Sequence, residues 1–261
     1  MTDTLPWTAS LQAGEFGQAR ARAAREGADP LLLAALEDLD ALSAAIRARS
    51  YAQATRLLAR YQETAHQTPL ADHFDASGLE AAVGALAANE TAPRATEVAD
   101  LRARLAPALA HPLTQAEALN LIGVLHALRD EPQEARTAFE EALAQDPQHY
   151  RALTNLGNLL LESGDLNGAE AAYRRALELN KEYPGAHHNL AVVLRKRRKV
   201  GESIRALKTS QRLAMRQSRQ QGQDEFKQVV GRMKLNPRSV QVTVGVALAA
   251  VLYFALKGFH F

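Results

Sequence analysis

Apolar and polar positions alternate at helical spacing over most of the chain, and the interruptions fall where proline, glycine and aspartate gather. In the first half this pattern predicts helices over residues 14–26, 31–46, 50–61, 77–88 and 96–109. Residues 62–76, which contain Pro69, read as a loop that shifts the later helices out of phase with the earlier ones. Segments 14–26 and 50–61 both read as the second helix of a pair, with Ala19 and Ala54 in matching places at an offset of 35. Residues 31–46 then supply the partner of 50–61.

In the second half the pattern repeats outright. Leu119, Ile122, Gly123, His126, Ala135, Phe139, Ala142 and Pro147 are followed, at a constant offset of 34, by Leu153, Leu156, Gly157, Leu160, Ala169, Tyr173, Ala176 and Lys181. A weaker third copy holds His187, Leu190, Ala191, Leu194, Ser203, Leu207 and Ser210. Small residues at Gly123, Gly157 and Ala191 let the first helix of a pair approach the second, and Ala135, Ala169 and Ser203 do the same from the other side. Asp130-Glu131-Pro132 and Ser163-Gly164-Asp165 are turns within pairs, while Asp146-Pro147 and Tyr183-Pro184 separate one pair from the next.

Over residues 116–216 these positions resemble the tetratricopeptide repeat family. The resemblance implies an all-α fold, a solenoid of helix-turn-helix pairs in which each pair needs a neighbour to bury its apolar face. The expected organisation is a degenerate repeat-like region over 1–115, three repeats with a capping helix over 116–219, a basic juxtamembrane linker over 220–239 and a transmembrane helix over 240–261. In that family the first helices of successive pairs line a concave groove that holds an extended peptide or a partner helix. Asn155 and Asn189 occupy equivalent places in that groove, Asn158 lies one turn beyond Asn155, Arg151 opens the same helix, and Asn120 belongs to the preceding first helix. An amide offers both donor and acceptor, which suits main-chain recognition of a polypeptide. Family members that clamp a chaperone's carboxylate tail use basic residues or asparagine at several groove positions. Of the corresponding residues here only Asn155 fits, so a chaperone tail is not the expected ligand.

Composition narrows the chemistry. With 47% hydrophobic residues the chain has ample material for a core, and with only 5% aromatic residues it suits close-packed helices better than sheets. The absence of cysteine excludes disulfides, thiolate nucleophiles and cysteine-ligated zinc. Residues 1–7 lack the basic and apolar regions of a secretory signal, so the N-terminus is expected to stay in the compartment of synthesis. A net charge of +2 conceals a polarity: up to Leu194 there are 16 Lys and Arg against 26 Asp and Glu, whereas from Arg195 to Arg238 there are 14 against three. Such asymmetry calls for an anionic partner near the C-terminal end.

The run VQVTVGVALAAVLYFAL over 240–256 is uncharged from end to end. A helix over 240–261 would be about 33 Å long, enough for a hydrocarbon core of about 30 Å. Lys257 would snorkel toward the far interface. Arg232, Lys234 and Arg238 flank only the N-terminal side, which predicts a single-pass C-terminal anchor with the repeats in the cytoplasm. Alanine- and arginine-rich usage leans the location toward a bacterial inner membrane. The alternative for 240–261 is a cap packed on the last repeat. Arg195, Lys196, Arg197, Arg198 and Lys199 are read as facing anionic headgroups together with Arg232, Lys234 and Arg238. No aromatic residues interleave with that run, so nucleic acid is not the expected partner. Gly245 and Ala249 form a small-residue pair through which two anchors would pack as a homo-oligomer.

Phosphate-binding glycine loops, paired metal-binding histidines and a nucleophile elbow are absent from the sequence, so no catalytic residue, metal or cofactor is expected. His66, Asp72, His73 and Asp75 read as solvated loop residues, and His126 and His187 as residues packed between helices. The functional expectation is a membrane-tethered adaptor that binds a protein or peptide in its groove. An accessory or assembly subunit of a larger membrane complex is the alternative.

Overall fold

The computed structural model describes residues 6–12, 14–72 and 76–232. All regular structure among them is helical: α1 (Trp7–Gln12), α2 (Phe16–Arg25), α3 (Pro30–Arg47), α4 (Tyr51–Ala65), a 3-10 turn (Pro69–Asp72), α5 (Ala76–Thr91), α6 (Val98–Arg104), α7 (Ala106–Ala110), α8 (Pro112–Leu128), α9 (Pro132–Gln145), α10 (Tyr150–Glu162), α11 (Leu166–Leu179), α12 (Pro184–Lys196) and α13 (Val200–Arg232). Proline opens α3, α8, α9 and α12, where its missing N–H has no intrahelical partner to lose. Pro107 near the start of α7 prevents α6 and α7 from running together, so the single helix expected over 96–109 is split at Leu105.

The turns identify the pairs more clearly than the side chains do. Gly14, Arg49, Asp130, Gly164 and Arg198 all have positive φ, and each stands two positions before the start of α2, α4, α9, α11 or α13. The N–H of the next residue closes back on the preceding helix from Glu15 to Ser10, Ser50 to Ala45, Glu131 to His126 and Lys199 to Leu194. These are Schellman closures, and the turns recur at an interval of 35 between Gly14 and Arg49 and of 34 between Asp130, Gly164 and Arg198. The N-terminal helices therefore form two pairs of the same kind, α1 with α2 and α3 with α4. In each second helix of these pairs and of the two following ones, Ala19, Ala54, Ala135 and Ala169 are fully buried at the contact.

Close approach within the later pairs needs glycine. A Cβ on Gly123 would lie 2.5 Å from the Phe139 ring, and one on Gly157 would lie 2.6 Å from the Tyr173 ring. Core packing differs along the chain. One continuous apolar cluster runs from Leu11 through Leu36, Leu86 and Leu105 to Ala138, whereas the later repeats hold smaller separate clusters around Tyr173, Ala142 and Tyr150.

Two differences from the sequence reading concern boundaries. α4 and α5 leave only residues 66–75 between them, including the 3-10 turn, where a loop over 62–76 was expected. α13 continues through Gln220 to Arg232, so residues 220–232 of the expected linker are helical; Gly222 and Gly231 are tolerated within it, and the first proline comes only at Pro237. Among the described residues no helix is long and apolar enough to cross a membrane. The expected anchor over 240–261, with Lys234 and Arg238, lies outside them.

Candidate binding face

The first helices α8, α10 and α12 lie side by side and are joined by amide hydrogen bonds. Asn155 on α10 donates to Asn120 Oδ1 on α8 at 2.8 Å, and Asn189 on α12 donates to Asn158 Oδ1 on α10 at 2.7 Å. Tyr173 OH donates to the same Asn158 oxygen at 2.8 Å, tying the second helix α11 to this row. Four of the five groove residues expected from the sequence are thus joined in two pairs, and the fifth, Arg151, bonds the backbone of Arg47 and Ala48. Their first role in the structure is to bond one another or the chain's own backbone, with Asn120 fully buried.

One end of this face is built around Glu117, whose side chain is 0% exposed. Arg49 Nε donates to Glu117 Oε1 at 2.6 Å and Tyr51 OH to the same oxygen at 3.2 Å. The other oxygen accepts from His149 at 3.0 Å and from the Asn120 amide at 3.3 Å. The tautomer of His149 follows from its surroundings: Nδ1 accepts the Ala152 N–H at the start of α10, so Nε2 carries the proton donated to Glu117. Burial alone would raise the Glu117 carboxyl, but the His149 hydrogen bond and the charges of Arg49 and Arg151 outweigh it and hold the group below the ordinary carboxylate range. Burial and the nearby carboxylate push the Tyr51 phenol well above its ordinary value. For Arg49 burial acts in the opposite sense, yet Glu117 still raises the guanidinium.

Arg49 lies in the turn between α3 and α4 and Tyr51 opens α4, so this junction joins the first half of the chain to the repeats. Three further contacts hold the turn. Arg47 pairs with Asp146 at 2.6 Å, and Arg151 donates to the carbonyls of Arg47 and Ala48 at 2.9 and 3.1 Å. A guanidinium on the last carbonyls of α3 satisfies unpaired acceptors at the negative end of the helix dipole. Arg151 is itself held over the Tyr183 ring at 5.2 Å, and Tyr183 meets Tyr150 edge-on at 5.0 Å. The position expected to greet a ligand is thus engaged by the chain's own turn.

Beyond this end the face is open. Helical spacing places Leu121, Asn155 and Asn189 in one register, Val124, Asn158 and Val192 in the next, and Leu128, Glu162 and Lys196 in the last, each step being one repeat. Leu128 is 70% exposed, and Glu162 and Lys196 are exposed beside it. The asparagine pairs use one N–H of Asn155 and one of Asn189, leaving their carbonyl oxygens without a bond among the described residues.

Of the basic run, Arg197 and Lys199 meet Glu170 on α11 at 2.6 and 3.3 Å, with Arg174 at 2.8 Å completing the cluster. Burial opposes ionisation of Glu170, but Arg174 and Lys199 lower its carboxyl. Arg195, Lys196 and Arg198 are exposed and make no ion pair among the described residues. Arg232 ends α13. His126 pairs with Glu131 at 2.7 Å and His187 with the Lys181 carbonyl at 2.9 Å. Among the described residues no group of histidine and acidic side chains could hold a metal ion; His73 and Asp75 lie outside them.

Sequence reasoning missed the Glu117 junction. Its only signal is that Glu117 is the single acidic residue of α8, in a helix otherwise rich in leucine and alanine.

The tetratricopeptide repeat family matches residues 98–150, 127–187 and 154–217, a span that begins with α6 and ends within α13. Residues 98–217 carry tetratricopeptide repeats. No curated protein matches the sequence. Among solved structures, the crystal structure of MamA is similar at 14% identity and a TM-score of 0.40, over 84% of this chain and 99% of that one. MamA AMB-1 aligns at 19% identity and 0.39 over 69% of this chain and 99% of the other. MamA MSR-1 aligns at 18% and 0.37 over 70% and 98%.

Proposed function

We propose that the protein is a membrane-tethered adaptor whose repeats bind a protein partner across α8, α10 and α12. The observation that carries this reading is the unequal state of the first-helix face: its Glu117 and Arg151 end is engaged by the α3–α4 turn, while its Leu128, Glu162 and Lys196 end is exposed. A polypeptide laid over the open registers would find amide groups at Asn155 and Asn189, an apolar contact at Leu128 and charges of both signs beyond. The tether is the uncharged run over 240–256, preceded by Arg232, Lys234 and Arg238 and followed by Lys257 alone, an excess that by the positive-inside rule keeps the repeats cytoplasmic.

Affinity capture from membranes in mild detergent tests the binding half, using the full chain. The variant Leu128→Asp with Lys196→Glu changes only exposed side chains, so it should melt as the parent does and hold its partner roughly tenfold more weakly. Equal retention would move the site off this face. Deleting 240–261 should shift the protein from the membrane to the soluble fraction. A parent chain that is already soluble would remove the tether.

A further inference from the structure

α13 packs on the repeats through one side only. Ser203 donates to the Ala191 carbonyl at 2.7 Å, Ser210 to the Pro184 carbonyl at 2.9 Å, and Leu213 is buried beside them. The opposite side carries Ile204, Met215 and Phe226, which are 49%, 65% and 42% exposed. They stand at intervals of 11, three helical turns each time, and therefore form one line along the helix. Arg205, Lys208, Arg212 and Arg219 are exposed within about 100° of arc on one side of that line. None of these four makes an ion pair among the described residues, whereas Glu202 is paired with Arg174. An apolar stripe with a cationic flank is the pattern of a helix that lies in a membrane interface.

We propose that α13 lies along an anionic lipid surface, with Ile204, Met215 and Phe226 at the headgroup boundary and Arg205, Lys208, Arg212 and Arg219 against lipid phosphates. This rests on the tether proposed above. α13 ends at Arg232 and the uncharged run begins at Val240, so the chain between them spans at most about 28 Å and keeps the C-terminal end of the helix near the bilayer, from which the stripe and its cationic flank would draw the rest down. Charge favours a bilayer over a second copy of the chain, because a symmetric partner would bring the same cations against one another.

The chain contains no cysteine, so a single Met215→Cys substitution on the full chain can carry an environment-sensitive fluorophore, with Glu141→Cys on α9 as control. Vesicles of phosphatidylcholine with phosphatidylglycerol should shift the label at 215 to the blue, reversibly with high salt, and leave that at 141 unchanged. Phosphatidylcholine alone should float the protein through its tail without the shift. The variant Lys208→Glu with Arg212→Glu should need roughly tenfold more anionic lipid for the same signal. Flotation with a water-like label at 215 on both vesicles would overturn the proposal and leave the tether standing. Failure to float on either would remove both. A blue shift without vesicles that grows with protein concentration would assign the stripe to a second copy and overturn the proposal.

Discussion

Two carboxylates do similar chemistry in different places. Glu117 and Glu170 each collect several donors and each is held below the ordinary carboxylate range against the effect of burial. Glu170 takes its donors from its own helix and from the next turn of the array, Arg174 one helical turn on and Arg197 and Lys199 27 and 29 residues on. Glu117 takes Arg49 and Tyr51 from 68 and 66 residues back, across the irregular stretch of α5 to α7. The first is a contact between neighbouring repeats that stays at the solvent edge. The second ties the α3–α4 turn to the array, beside the apolar core that the two halves share, and in doing so closes one end of the face that partners would use.

That difference predicts unequal costs, checked by denaturant unfolding of single variants. Glu117→Gln should be the most damaging, about 3 kcal/mol, since it leaves Arg49 facing a neutral group in a buried junction. Its effect should also depend on pH. Because the folded carboxyl is lower than the unfolded one, its stabilisation is complete above the ordinary glutamate range of about 4.3 and is lost as pH falls through the lower folded value. Parent and variant melting temperatures should therefore converge in acid, and a constant gap would argue against a charged Glu117.

Arg151→Lys comes next, at about 1.5 kcal/mol, because lysine cannot fork onto the carbonyls of Arg47 and Ala48 while lying over Tyr183. Glu170→Gln should cost about 1 kcal/mol, its partners being partly exposed. Asn189→Ala should cost about 0.5–1 kcal/mol for one interhelix hydrogen bond. A Glu170 effect equal to that of Glu117 would erase the distinction between the two regions.

What could be read from the sequence follows the same division. Gly123 with Phe139 and Gly157 with Tyr173 are visible because a Cβ would strike the ring, so the pair must recur together in successive repeats. The turns within pairs share a geometry but not a residue type: Gly14 and Gly164 are glycine, whereas Arg49 and Arg198 reach positive φ without it and nothing in their composition announces it. The groove asparagines were legible as neighbours but not as each other's partners, since which amide meets which depends on how far apart the helices pack. Glu117 could not be matched to Arg49 and Tyr51, because the residues between them fold through α5 to α7 with no repeat register to count along.

The most direct measurement is a double-mutant cycle between Arg49 and Glu117, with Arg49→Met, Glu117→Gln and the pair compared by equilibrium unfolding. A coupling of at least about 1.5 kcal/mol across these 68 residues is expected. A coupling indistinguishable from zero would mean that the Arg49–Glu117 pair does not help to hold the α3–α4 turn to the repeats.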